Sequence, residues 1–228
     1  MKYHPIRLQI AFFLSAVDFT SKFKIAALVR ESAGNLLDVD PLLLPLGADS
    51  PPDFPHIIIR NESKGWAFQM APARFDLAVE LDSQQRDGNR RQLTEVISTT
   101  ALSIWNGLKT GFGARAHRLG LITTIASEME NAPEALRQRF LNTVYGSGAH
   151  ETQLHFLHKL ENEGFSLNRW VRLKALPANE TWPARLVMEV DINTVAEQPI
   201  EVTDSAIQKF LSVADQQTQQ TIRDYLAE

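Results

Sequence analysis

His150, Glu151, His155 and His158 are the densest gathering of metal-capable side chains in the sequence. On a helix, Glu151, His155 and His158 would share one face at i, i+4 and i+7, the arrangement a two-histidine, one-carboxylate metal site uses. On a strand, His155 and His158 would point to opposite faces and could not close on one ion. The alternation of Leu154, Phe156, His158 and Leu160 favours the strand, so no metal is assigned here and Glu151, His155 and His158 stand only as the metal candidates.

The second group is basic and aromatic. Lys159, Arg169, Arg172 and Lys174 surround Trp170, and in a strand Trp170, Arg172 and Lys174 project together. A stacking ring flanked by cations is how single-stranded nucleic acid is held; Glu161, Glu163 and Glu180 offset that charge. Arg74 and Arg185 each open a strand after Pro-Ala. They are candidates for anion or partner binding, with a structural salt bridge to a strand carboxylate as the competing role. The carboxylate pairs Glu80/Asp82 and Glu189/Asp191 sit at i, i+2, on one face of a strand, where a solvated role precedes acid–base work. Gly111-Phe-Gly113 and Gly146-Ser-Gly148 lack the Lys-Ser/Thr of a phosphate loop, and no Gly-x-Ser-x-Gly elbow occurs. The chain has no cysteine, which excludes thiol nucleophiles, disulfides and zinc–thiolate centres. No cofactor is expected, and catalysis is not favoured.

The elements that must position these residues begin with a strand over 6–14, where Ile6, Leu8, Ile10 and Phe12 alternate with Arg7, Gln9 and Ala11. A helix follows a cap at Asp18, Thr20 or Ser21, with Phe19, Phe23, Ala26, Ala27 and Arg30 as its stripe, widened by Ile25, Leu28 and Val29, and ends at Gly34-Asn35. Four prolines between Leu36 and Phe54 forbid a helix interior and leave a long connection with one short strand near Leu42–Leu44. The β-branched run at Ile57–Ile59, the polar break ending at Gly65, and Trp66, Phe68 and Met70 spell a hairpin; Phe75, Leu77, Val79 and Leu81 add a third strand. Leu93, Val96, Ile97, Thr100, Ala101, Ile104, Trp105 and Leu108 mark a four-turn amphipathic helix.

The second half repeats the first. Arg7-Leu8, Pro72-Ala-Arg74 and Val79-Glu-Leu-Asp82 recur 111 positions later as Arg118-Leu119, Pro183-Ala-Arg185 and Val190-Asp-Ile-Asn193. His56 through Trp66 recurs 99 positions on as His155 through Phe165. The pieces expected are strand 118–127, helix 133–143, strands 153–159, 165–176 and 185–192, and helix 203–227. The reading is an α+β chain built by internal duplication, with β-α-β-β-β-α units over 1–112 and 113–228 in one compact unit. Antiparallel strands, in one sheet or two, would carry helices on one face, the general layout of the TATA-binding-protein-like saddle, taken as fold analogy alone.

Arg118-Leu-Gly-Leu121 after a long amphipathic helix, Ile58-Ile-Arg60 before Gly65-Trp66, and the late Glu189-Val-Asp-Ile-Asn193 strand before a last helix carry a resemblance. The chain resembles a sporadically distributed bacterial family of uncharacterised proteins over most of its length. It departs from the family's strands at Ile122-Thr123, where Arg-Tyr would stand, and at Asn193, where an Asp would stand. The resemblance implies architecture and no known activity.

With 228 residues, 44% of them hydrophobic, the chain can bury a core without staples. Its net charge of −4 lies in the second half, and neither half has the basic stripe of a strong phosphate binder. No run reaches the roughly 18 apolar residues of a membrane span, and the cysteine-free composition fits a cytoplasmic protein. The expectation is a non-catalytic interaction module that engages a protein partner, or a second copy of itself, through an exposed sheet face, a sheet edge or the seam between repeats. The alternatives are a nucleic-acid binder using Arg169–Lys174 and a metal-dependent enzyme using His150–His158.

Overall fold

The computed structural model describes residues 3–45, 50–81, 90–141, 152–178 and 183–226. Its strands are β1 (His4–Ala16), β2 (Leu42–Leu43), β3 (Ile57–Asn61), β4 (Trp66–Ala71), β5 (Arg74–Glu80), β6 (Arg115–Glu128), β7 (Thr152–Asn162), β8 (Phe165–Leu176) and β9 (Arg185–Thr194). Its helices are α1 (Lys22–Ala33), α2 (Arg90–Phe112), α3 (Ala132–Phe140) and α4 (Asp204–Leu226). The strands form one antiparallel sheet in the order β2-β3-β4-β5-β1-β6-β9-β8-β7. The choice between two sheets and one therefore resolves to one, joined at the centre by β1 against β6, with Ile10 opposite Leu121.

One face of this sheet is dry. Leu8, Ile10 and Phe12 of β1, Phe68 and Phe75 of the meander, and Leu121, Val171, Met188 and Val190 of the second half are at most 1% exposed, in one apolar cluster with Ile25, Ile97, Trp105 and Phe210 of the helices. Period-2 alternation decides which residues go there, since pleated neighbours point to opposite sides. At the centre Phe12 stacks on Phe75 at 4.5 Å and on Trp105 at 5.3 Å. Helices α1 and α2 pack over the strands of the first half, and α3 and α4 over those of the second.

The expected α+β class, with helices on one face of an antiparallel sheet, is what the chain forms. Two helix stripes need correction. The buried residues of α1 are Ile25, Ala26, Val29 and Ala33, while Phe23 is 78% exposed. At about 100° per residue Phe23 lies roughly a quarter-turn or more round the helix from that stripe. In α2, Ile97, Ala101, Ile104, Trp105 and Leu108 are buried but Val96 faces outward for the same reason. No described helix is long and apolar enough to cross a membrane.

Candidate functional site: the uncovered sheet face

The opposite face of the sheet has no helix over it among the described residues, and its side chains follow from the registers. Phe13 of β1 stands opposite Arg74 of β5 on one side and Arg118 of β6 on the other. Both guanidiniums lie against its ring, at 4.8 Å and 4.3 Å from the centroid. Cation–π contact of this kind attracts each guanidinium to the ring by about 0.5–1 kcal/mol at an exposed site.

Two polar chains leave this centre. In the first half, Arg74 donates through Nε and Nη2 to Asp76 Oδ1 at 2.9 Å and 2.6 Å, Gln9 Nε2 donates to the same oxygen at 2.7 Å, and Arg7 donates to Gln9 Oε1 at 2.7 Å. Asp76 is only 5% exposed although no described helix covers it; Arg74, Gln9 and Gln69 all donate to its carboxylate. In the second half, Arg118 donates to the Thr194 carbonyl at 2.8 Å and to Asn193 Oδ1 at 2.6 Å. Asn193 Nδ2 donates in turn to Asp191 Oδ1 at 2.9 Å. Asp191 and Glu189 both pair with Arg172, the former at 3.8 Å. Arg172 then lies 5.5 Å from the Trp170 ring. Burial lowers the pKa of Arg118, Asp191 opposes the shift, and Arg74 adds to it.

The residues singled out in the sequence separate into groups. Trp170, Arg172 and Lys174 do share the uncovered face. Arg169 is on the helix side, donating to Thr221 Oγ1 at 3.4 Å. Arg74 forms its salt bridge with Asp76, and Arg185 donates to the Pro183 carbonyl at 3.2 Å. His155 is exposed on the uncovered face opposite Arg172, whereas His158 is on the helix side, 3.0 Å from the Tyr225 hydroxyl. Glu151 and His150, with Asp82 and Gly146–Gly148, lie outside the described residues; among the described residues no three metal-capable groups converge. Gly111 lies inside α2 and Gly113 just follows it with φ 59°.

Sequence reasoning missed Phe13, Arg118 and the bridging amide of Asn193. One signal was legible: in the doublet Phe12-Phe13 alternation must expose one ring, and only β1's polar side was free. A cleft of about 620 Å³ between α2 and α4 offers a second concavity, lined by Thr94, Ser98, Thr99, Gln208, Ser212 and Gln216 beside Glu95 and Asp215.

His158 sets a pH response. Burial, then the charge of Arg169, lowers its pKa from the ordinary 6.5. His56 behaves alike through burial and Lys22. The unfolded chain therefore binds protons at these sites before the native one does, so stability present above about pH 6.5 falls as pH drops through 6.5 toward the native pKa. Thermal melts at pH 7 and pH 5 should show a lower midpoint at pH 5, and His158→Gln, which keeps a partner for Tyr225 without titrating, should narrow the gap. An unchanged gap would refute the assignment.

No family model matches the chain, and no curated protein matches it. Among solved structures, a rolling circle replication initiator protein from Geobacillus stearothermophilus is similar across 94% of this chain and 79% of its own, at 12% identity and a TM-score of 0.32, a level of likeness from which neither fold nor activity is carried over.

Proposed function

We propose that the protein is an interaction module without catalysis of its own, which engages a protein partner through the uncovered sheet face. The observation that carries this is the pair of arginine–aromatic stacks, Phe13 with Arg74 and Arg118 and Trp170 with Arg172, linked by one continuous polar network. Tryptophan and arginine are the residues on which protein interfaces concentrate their energy. The network also holds them in place before binding, which reduces the ordering cost of association. Carboxylates stand among the cations throughout, so the face offers both signs of charge, as a protein surface does. A polyphosphate would meet Glu189, Asp191 and Asp76 along with the arginines.

The same face supports a second reading, since Trp170, Arg172 and Lys174 present a ring and two cations together. Capture from the host's extract, with half of the sample treated with nuclease, separates the two. A protein retained after nuclease, and bound about 30-fold more weakly by both Trp170→Ala and Arg118→Ala, is the expected result; that factor corresponds to a hot-spot loss of roughly 2 kcal/mol. Material that vanishes with nuclease and binds with log-linear salt dependence would replace the protein partner with nucleic acid. Retention unaffected by either substitution would remove the face from consideration.

The face is assembled from both halves, and we read residues 1–112 and 113–228 as two copies of one unit. Supporting this are the shared element order, β1-α1-β3-β4-β5-α2 against β6-α3-β7-β8-β9-α4, and the left-handed glycines Gly65 and Gly164 that close the corresponding hairpins.

A further inference from the structure

The two outer edges of the sheet are not alike. On one side β3 is partly paired by β2, at Leu42 and Leu43. On the other side β7 runs for 11 residues with no described strand beyond it. Natural edge strands are shortened, bulged or interrupted by proline, because a long regular edge invites another strand. Of the devices that protect an edge, β7 carries only charge, in Lys159 and Glu161 on its exposed side. It contains no proline, and it pairs with β8 from Thr152 to Asn162 without a register shift. At its midpoint Leu157 is 44% exposed on the uncovered face.

We infer that β7 is the dimerisation edge of this protein and that its occupant is a second copy of β7, running antiparallel. The strand is compatible with itself in the register that uses its full length. Leu157 then falls on the two-fold axis opposite its own copy, Leu154 meets Leu160, Phe156 meets His158 and Glu161 meets Gln153. Faces are preserved, because each residue meets one an even number of positions away. Lys159 opposite His155 is the least favourable pair, and both are on the exposed side. Such pairing satisfies on the order of ten main-chain hydrogen bonds along roughly 37 Å of edge. It gives an isologous interface that closes at two chains and continues the sheet from one protomer into the next. The uncovered faces of both protomers remain free, so this association is independent of the partner surface above.

Sedimentation equilibrium of the purified chain tests it. The expected mass is twice the 25.6 kDa of one chain. Leu157→Lys, which sets like charges against each other on the axis while altering an already exposed position, should return the mass to that of one chain with an unchanged circular dichroism spectrum. Because the sequence has no cysteine, Leu157→Cys provides a register-specific readout. Directly opposed strand residues have Cα atoms within disulfide reach, so mild oxidation should convert this variant to a covalent dimer, while Leu42→Cys on the opposite edge should stay single. A wild-type chain that sediments as a monomer up to its solubility limit overturns the inference. So does a dimer that survives Leu157→Lys, or one that Leu157→Cys fails to cross-link.

Discussion

Trp105→Ala is expected to lower stability by about 3–5 kcal/mol, a large part of the roughly 5–15 kcal/mol that holds a domain folded. Trp105 is 1% exposed and packs its ring 5.3 Å from Phe12, which itself stacks on Phe75. It therefore joins α2 to β1 and β5 where the two halves of the sheet meet. Truncation would leave a cavity that the stiff strands beneath cannot fill, and the cavity adds to the lost transfer energy. The thermal midpoint should fall by on the order of 10 °C. Trp105→Phe is the informative control. The indole Nε1 is buried without a hydrogen-bond partner among the described residues, an arrangement that costs about 1–3 kcal/mol. Phenylalanine removes that orphan donor while keeping the stack, so its net cost should be about 1 kcal/mol or less. Urea unfolding of the two variants would check both values, and equal losses would show that the ring stack contributes little.

What was legible in the sequence was what neighbouring residues encode. The hairpin at Asn61–Gly65 shows in a polar break ending in a left-handed glycine, and β8 occupies the expected 165–176 because alternation extends through it with one interruption, at Arg169. The order of elements expected for the second half, strand, helix, three strands and helix, is the order found. The pairing of β1 with β6 was not legible, since it joins residues about a hundred or more positions apart and alternation specifies a residue's face but not its neighbour across the strand. For that reason Trp170, Arg172 and Lys174, which lie on one strand, could be grouped in advance, whereas Phe13, Arg74 and Arg118, which come from three, could not. The strand reading of 153–159, which the structure extends to Thr152–Asn162, separated His155 from His158 by the same alternation. Phe23 shows the limit for helices: an apolar residue in the first turn need not face the core when four others define the stripe.

Gly65→Ala should be the most damaging small substitution on the surface of the fold, at about 2–4 kcal/mol, where Gly164→Ala should cost about 1 kcal/mol. Both glycines close a hairpin at positive φ, 71° and 83°, so the backbone penalty for a side chain is common to both. Their surroundings differ. Around Gly164 an added Cβ meets nothing within 4 Å, whereas at Gly65 it would sit 2.1 Å from the carbonyl oxygen of Glu80. That oxygen belongs to β5 and cannot rotate aside as a side-chain end could. The Gly65 carbonyl also accepts the Glu80 amide at 2.8 Å, so the β3–β4 turn and the end of β5 are joined at the point where room would have to be made. Relief requires β4 to shift against β5, which moves Gln69 away from Asp76, now 3.4 Å apart, and disturbs the carboxylate that anchors Arg74 beneath Phe13. Gly65→Ala should therefore weaken partner capture as well as stability, while Gly164→Ala leaves capture intact. Urea midpoints measured alongside binding would show it: equal losses at the two glycines would mean that the turn gives way freely, and the arginine–aromatic centre would then not depend on the placement of β4.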